Sequence, residues 1–266
     1  MLGSIPTIFT LAVLLTVRSL RPSLTNVSRY YEVAAKTPLI PLRSMSGLSA
    51  AAGGEGRGPS PRVGGDNSLV EPWRSRIDRS IAKSRKIRGG NYVQIATVDD
   101  QGLPACRTVV FRGFLETEDK SSIAMKMITD ARSEKVTQIT ANPGCEMVWW
   151  FSQTKEQYRL SGTLRLVGAD ESDAHLLAAR KQQWGNLSDP AREQFYWHPP
   201  GEYSGESAVP AGGRDEDGKV MEVPDSFLLM LLYPSQVKFL RLTDNFAQKD
   251  VLESNRATWS ESRINP

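Results

Sequence analysis

Residues 91–115 read NYVQIATVDDQGLPACRTVVFRGFL, and this stretch decides the fold class. Apolar side chains alternate with other residues over 92–98, which is the period of a half-buried β-strand. Asp99-Asp100-Gln101-Gly102 contains turn-forming residues, and a second apolar segment follows at 104–115. The pattern therefore predicts a β-hairpin with one strand at 92–98 and another at 104–115.

Short segments of the same kind recur toward the C-terminus. We expect strands at 122–129, 145–151 and 158–167, and a last pair at 227–233 and 236–242 around Pro234-Ser235. Six or seven short strands with few helices between them favour an antiparallel β-barrel with flanking α-helices. A parallel α/β sheet would need a helix between successive strands.

Four helices are predicted around these strands. The first lies before residue 91, where Trp73, Ile77 and Ile81 recur every four residues. The others are expected at 132–140, 170–184 and 189–197. Residues 199–224 are rich in glycine and acidic residues and show no period, so we expect a long loop there.

The first 65 residues differ in composition from the rest of the chain. They hold seven basic side chains against two acidic ones, and they are rich in Ser, Thr, Ala and Gly. A basic, hydroxylated and acid-poor composition is typical of organellar transit peptides. We expect residues 1–65 to be a disordered targeting segment for the chloroplast, with the mitochondrion as the alternative, and 68–266 to be the folded domain. A secretory signal and a tail without an address are the rival interpretations.

Charge and composition exclude several classes of protein. Beyond residue 65 the chain holds 26 basic and 28 acidic residues, which gives no electrostatic support for nucleic-acid binding. The apolar stretch at 5–17 is shorter than the roughly 20 residues of a membrane-spanning helix. With two cysteines and two histidines, neither a disulfide scaffold nor a zinc site is expected.

Cationic and hydroxyl side chains cluster at the predicted strand ends. One group is Arg107, Thr108 and Arg112, and the other is Thr129, Arg132, Ser133 and Lys135. A helix start offers free N–H groups and a positive dipole end, so the second group suits a phosphate. A solvated, charged helix end is an equally good interpretation of the composition. The aromatic residues at 184 and 195–197, and both histidines, His175 and His198, are interpreted as structural.

Several motifs in order resemble the pyridoxamine 5′-phosphate oxidase family. They are RTVVFR at 107–112, ITD at 128–130, SEKVTQI at 133–139 followed by NP at 142–143, EQYRLSG at 156–162 and WSESRINP at 259–266. The resemblance runs from about residue 72 to the end, and it is closest to a branch found in cyanobacteria and plants. It implies an FMN-binding split barrel that works as a homodimer, with two FMN molecules at the subunit interface.

The resemblance also implies roles for individual residues. Arg107, Thr108, Val109 and Val110 would lie along the flavin, Ile128 and Thr129 would touch its ring or phosphate, Lys135 would bind the phosphate beside Ser133, and Gln157 would hydrogen-bond the isoalloxazine. Arg112 would serve both flavin and substrate phosphate. Glu134 stands where the family has a phosphate-binding arginine, so we expect Arg132 to supply that charge. Arg180 is the candidate for the substrate phosphate.

The activity implied is oxidation of pyridoxamine or pyridoxine 5′-phosphate to pyridoxal 5′-phosphate. A hydride passes from C4′ to the flavin, and dioxygen is the final acceptor and yields hydrogen peroxide; no side chain is needed as a general base. The Trp, Arg and His that the family's oxidases carry in the next-to-last strand region are not kept at matching positions in 227–241. Two alternatives therefore stay open: an FMN oxidoreductase for another substrate, and a flavin- or haem-binding protein without turnover.

Overall fold

Nine β-strands, counted over the part of the chain that the structure describes, form one antiparallel sheet. The structure is a computed structural model that describes residues 72–117, 122–202, 211–253 and 258–266. The predicted targeting segment, 1–65, lies outside the described residues. The strands are β1 Tyr92–Val98, β2 Pro104–Val110, β3 Phe114–Glu116, β4 Ile123–Asp130, β5 Gly144–Phe151, β6 Glu156–Val167, β7 Phe227–Arg241, β8 Phe246–Glu253 and β9 Thr258–Ile264.

The sheet closes into a barrel because the chain bends between β2 and β3. The strand order is β2-β1-β5-β6-β7-β4-β3, and only residues 111–113 separate β2 from β3. The Arg112 N–H donates to the Lys126 carbonyl and the Lys126 N–H to the Gly113 carbonyl, both at 2.8 Å. The prediction of one strand over 104–115 was therefore wrong, because Gly113, with a φ of 105°, turns the chain from β1 to β4.

The predicted strand pair at 227–242 is instead one long strand. β7 runs through Pro234 without a turn, and the register of its pairing with β6 shifts between Ser161 and Gly162. A Cβ on Gly162 would lie 2.1 Å from the Tyr233 carbonyl oxygen, so only glycine lets the two backbones approach there. This irregularity accommodates Pro234, which has no N–H to donate to a neighbouring strand. The sequence pattern alone does not distinguish such a proline from a proline in a turn.

The hairpin of β8 and β9 was not predicted. β8 pairs with the second half of β7, and β9 pairs with β8 from Ala247 opposite Ile264 to Glu253 opposite Thr258. Five of the seven residues of β9 are exposed, so the strand lacks the alternation of apolar residues that marks a half-buried strand.

The helices differ from the predictions mainly at their ends. They are α1 Pro72–Ser84, α2 Glu134–Ala141, α3 Ala174–Gly185 and α4 Asp189–Glu193, and α4 continues as a 3₁₀-helix, Gln194–Tyr196. The carboxylate of Asp173 accepts from the N–H groups of His175 and Leu176, which fixes the start of α3. Within the described parts of the predicted loop 199–224, the only regular pieces are a 3₁₀-helix, Ala211–Gly213, and a bridge of Arg214 with Val220.

The barrel core is aromatic, and α1 packs against it. Trp73 and Ile77 of α1 are fully buried, and the rings of Phe111 and Phe151 lie 4.7 and 4.8 Å from that of Trp149. Each such fully buried side chain stabilises the fold by roughly 1.5–3 kcal/mol. Among the described residues, no helix has both the length and the apolar character needed to span a bilayer.

Candidate functional site

A cavity of about 470 Å³ opens where β2 and the end of β4 face a segment that follows α3. This volume lies in the range of roughly 300–1,000 Å³ that small-molecule and cofactor sites occupy. The strand β2 and its following bend contribute Thr108, Val109, Val110 and Arg112. The end of β4 and the start of α2 contribute Ile128, Thr129, Ser133 and Lys135. Eight side chains predicted from the sequence thus line one hollow.

Two cations in this cavity lack protein partners. The buried Nε of Arg112 has no hydrogen-bond partner among the described residues, and burial lowers the pKa of its guanidinium. Lys135 forms no hydrogen bond and no ion pair with any residue that the structure describes. Burial and, secondarily, the nearby Arg107 lower the pKa of Lys135, while Asp130 and Glu134 oppose this effect. Charges that have lost water without gaining a partner favour a bound anion.

The start of α2 offers further donors to an anion. The Ser133 hydroxyl, at the N-cap position, donates to the Asp130 carbonyl at 2.8 Å instead of capping the helix. The hydroxyls of Ser133 and Thr129 lie 3.0 Å apart. The first N–H groups of α2 therefore have no side-chain cap, and they lie at the positive end of the helix dipole. This donor set fits a phosphate monoester such as that of FMN.

Arg107 acts on the site without lining the cavity. Its guanidinium donates to the Thr97 hydroxyl at 2.6 Å, to the Gln138 side-chain oxygen at 2.9 Å and to the Ala105 carbonyl at 2.8 Å. These contacts tie β1 and β2 to α2. Because Arg107 is close enough to lower the pKa of Lys135, it adds positive potential near the cavity.

Arg132 and Arg180 are held by protein groups and do not line the cavity. Both Nε and Nη2 of Arg132 donate to the Asp130 carboxylate, at 2.9 and 2.7 Å. Arg180 is 6% exposed, and its guanidinium donates to the carbonyls of Phe227 at 3.0 Å and Pro224 at 2.8 Å. The prediction that Arg180 binds a substrate phosphate has no geometric support, since the side chain fastens the start of β7.

Gln157 lies elsewhere in the same chain. It sits on β6 opposite Trp150 and Leu240, and it lines a separate cavity of about 110 Å³ beside the C-terminal Pro266. Within a single chain, Gln157 therefore does not reach the larger cavity, where its contact with a flavin was predicted.

One wall of the larger cavity was not predicted as functional. Residues 191–200, called here the wall segment, contribute Ala191, Gln194, Phe195, Trp197, His198 and Pro200. The sequence favours packing roles for Phe195 and Trp197 and a structural role for His198. The one signal in the sequence is a run of aromatic residues just before a long loop, and it does not show that this run faces β4.

Metal chemistry has no candidate site in the described ranges. They contain no group of three or more His, Cys, Asp or Glu side chains placed to hold a metal ion. The arrangement is instead one of cations, hydroxyls and apolar side chains, which can hold an anionic group beside an apolar ring.

Comparisons with known proteins agree with this geometry. Residues 70–168 match the family model described as pyridoxamine 5′-phosphate oxidase, FMN-binding domain. The chain is 31% identical over 205 residues to pyridoxine/pyridoxamine 5′-phosphate oxidase 2 of Arabidopsis thaliana, covering 74% of this chain and 98% of that protein.

Solved structures give the same result for the fold. A pyridoxamine 5′-phosphate oxidase-related, FMN-binding protein from Nostoc punctiforme is 37% identical, with a TM-score of 0.65 over 75% of this chain and all of that one. PhzG from Burkholderia lata, at 15% identity and a TM-score of 0.54, shares the fold. The barrel is thus an FMN-binding split barrel, and the chain belongs to the pyridoxamine 5′-phosphate oxidase family.

Proposed function

We propose that this protein binds FMN in the 470 Å³ cavity and oxidises pyridoxamine or pyridoxine 5′-phosphate to pyridoxal 5′-phosphate. One observation carries the proposal: an unpartnered lysine, an uncapped helix start and a buried, unpaired arginine nitrogen share one hollow. Family membership supplies the identity of the cofactor. The same likeness supports dioxygen as the final acceptor.

The side chains divide the work of holding the cofactor. Lys135, the first N–H groups of α2 and the Thr129 hydroxyl bind the FMN phosphate, and Ser133 lines the same site while its hydroxyl leaves those N–H groups uncapped. Val109, Val110 and Ile128 offer apolar surface to the ring system. FMN, when bound, supplies the acceptor for a hydride from C4′ of the substrate. The remaining task of the chain is to orient that carbon, and no side chain has to remove a proton.

Arg112 is the cation that we assign to the substrate phosphate as well as to the flavin. Arg112 lines the cavity with a nitrogen that has no hydrogen-bond partner among the described residues, whereas the Arg180 guanidinium donates to two backbone carbonyls. A guanidinium can hold phosphate oxygens through two parallel hydrogen bonds, which fixes the orientation of the substrate.

We further propose a homodimer in which Gln157 reaches the flavin of the other subunit. Gln157 lines a cavity of its own, and its neighbour across the strands, Trp150, is 41% exposed on the outer face of the barrel. An exposed tryptophan on a sheet face is suited to an interface. Sedimentation velocity of the FMN-loaded protein tests this proposal, and a monomer at micromolar concentration would contradict it.

Residues 1–65 are proposed to direct import into the chloroplast. Their basic, acid-poor composition supports this, and the relative from Arabidopsis thaliana is a plant protein. A fluorescent protein preceded by residues 1–71 should enter plastids of plant cells. Fluorescence confined to mitochondria or to the cytosol would contradict the assignment.

Anaerobic titration of the FMN-loaded protein tests the activity. Pyridoxamine 5′-phosphate should bleach the flavin absorbance while one equivalent of pyridoxal 5′-phosphate and ammonia forms, and admission of air should restore the absorbance with formation of hydrogen peroxide. A bound flavin that is not bleached would favour another substrate or a passive binder. A haem spectrum in place of a flavin spectrum would overturn the proposal.

A further inference from the structure

The wall segment is held in place by an arginine that lies outside the cavity. Besides its pair with Asp130, the Arg132 guanidinium donates to the Trp197 carbonyl at 2.8 Å and to the Phe195 carbonyl at 3.3 Å. Asp130 ends β4, the strand that carries Ile128 and Thr129. One side chain therefore couples the strand at one side of the cavity to the backbone at the other.

The ring and the carbonyl group of Phe195 also hold the wall segment in place. Its ring lies 5.7 Å from that of Trp184 and 5.1 Å from that of Phe227, and its carbonyl also accepts from the Ser226 hydroxyl at 3.1 Å. Pro199 and Pro200 end the wall segment and restrict its backbone there. The main chain at residues 195–197 is thus held by hydrogen bonds from Arg132 and Ser226, and the Phe195 ring by contacts with Trp184 and Phe227.

Trp197 is the one tryptophan among the described residues that lines this cavity, and its ring is left uncovered. The residue is 49% exposed, and its ring contacts no other aromatic ring or cation that the structure describes. By contrast, Trp73, Trp149 and Trp184 are buried in aromatic contacts. A rigid backbone that holds an uncovered indole beside a cavity is suited to stacking on a flat ring.

We propose that Trp197 is a substrate-binding residue that stacks on a planar aromatic ring, and that Arg132 is the positioning residue that fixes it. The inference rests on the proposed function and adds a contact to the substrate ring, opposite in kind to the phosphate contact assigned to Arg112. The cation and hydroxyl groups assigned to FMN lie in the bend after β2, at the end of β4 and at the start of α2, whereas Trp197 belongs to the separate wall segment. Trp197 therefore acts on the substrate and not on the flavin phosphate.

Steady-state kinetics of the FMN-loaded protein test this assignment. Trp197→Leu should raise the KM for pyridoxamine 5′-phosphate about tenfold, with kcat changed less than about threefold, because ring stacking is lost. Trp197→Phe, which keeps an aromatic ring, should have a KM close to that of the unsubstituted protein. The inhibition constant of inorganic phosphate, which has no ring, should be the same in Trp197→Leu and in the unsubstituted protein.

Arg132→Ala should reproduce the effect of Trp197→Leu. The double variant should be no worse than either single one, since both changes remove the same contact. Arg165→Ala is the matched control, because Arg165 also pairs with a carboxylate, that of Glu171 at 2.9 Å, but does not line the cavity. The KM of the Arg165→Ala variant for pyridoxamine 5′-phosphate should equal that of the unsubstituted protein.

The outcomes separate the two proposals. If the KM of Trp197→Leu is unchanged, or if its FMN dissociation constant rises by the same factor as its KM, Trp197 does not bind the substrate ring. The proposed oxidase activity is unaffected by either result. Additive effects of Arg132→Ala and Trp197→Leu overturn the positioning role. Absence of turnover in the unsubstituted protein overturns the proposed function itself, whatever the variants do.

Discussion

Two groups of cations in this molecule have opposite environments. Lys135 and the Arg112 Nε line the cavity without protein partners. Arg180 in α3 and Arg192 in α4 are buried, and their guanidinium groups donate to carbonyls and, for Arg192, also to a carboxylate. In the sequence all four are simply basic residues, and nothing in their local sequence separates the two groups. The difference teaches that the acceptors around a buried cation, and not its presence, distinguish a structural role from a binding role.

The energetic consequences of the two environments also differ in sign. A saturated buried cation stabilises its surroundings, because removing it leaves carbonyl groups without donors. An unpartnered, partly buried cation destabilises the empty protein and regains that energy when an anion binds. The same substitution, a basic residue to methionine, should therefore act in opposite directions in the two places.

Arg192→Met should produce the largest loss of stability. Arg192 is 2% exposed, and it donates to the Leu187 carbonyl at 2.5 Å, to the Gly212 carbonyl at 3.1 Å and to Asp189. Methionine leaves the Leu187 and Gly212 carbonyls without this donor, so the free energy of unfolding should fall by about 1–3 kcal/mol for each of the two. Urea denaturation measures the loss.

Arg214→Met is the control for this comparison. Arg214 binds the same carboxylate, Asp189, at 3.0 and 3.1 Å, but more than a third of its side chain is exposed. Its loss should lower the free energy of unfolding much less than the loss of Arg192, because solvent screens an exposed ion pair. Equal losses at the two positions would show that burial of the guanidinium does not decide its contribution.

Lys135→Met should have a smaller effect of opposite sign. Because burial and Arg107 lower the pKa of Lys135 in the folded protein, its charged form weakens the empty protein. Solvent screening limits the effect, and we expect the FMN-free variant to melt about 1–3 °C higher near neutral pH. Thermal melts of both FMN-free proteins measure the difference.

The pH dependence follows from the direction of that shift. A lysine whose pKa is lowered by folding destabilises the folded protein by the full amount at pH values below that lowered pKa. This destabilisation disappears as the pH rises toward about 10.4, the pKa of lysine in the unfolded chain. The advantage of Lys135→Met should therefore shrink between neutral pH and about pH 10. A constant advantage at all pH values would assign it to packing instead of charge.

The sequence predicted the barrel and most of one side of the site because both have local signals. The alternation at 92–98 and the turn at 99–102 predict β1 and its hairpin with β2. The hydroxyl and cationic residues at 129–135 lie together because they belong to one strand-to-helix junction. Contacts this close in sequence need no tertiary information.

The rest depends on contacts far apart in sequence. Trp197 faces β4 because Arg132, 65 residues earlier, binds its carbonyl. Arg180 is structural because the carbonyls of Pro224 and Phe227, more than 40 residues later, occupy its guanidinium. The bend at Gly113 and the unbroken β7 at Pro234 depend equally on the strands that pair with them. No periodicity in the sequence reports such partners.

Titration of FMN into the Lys135→Glu protein tests the central assignment most directly. Lys181→Glu, an exposed lysine on α3 outside the cavity, provides the same charge reversal as a control. We expect Lys135→Glu to weaken FMN binding about 100-fold or more with an unchanged circular dichroism spectrum, and Lys181→Glu to leave it within about threefold. Equal FMN affinities in the two variants would contradict the account.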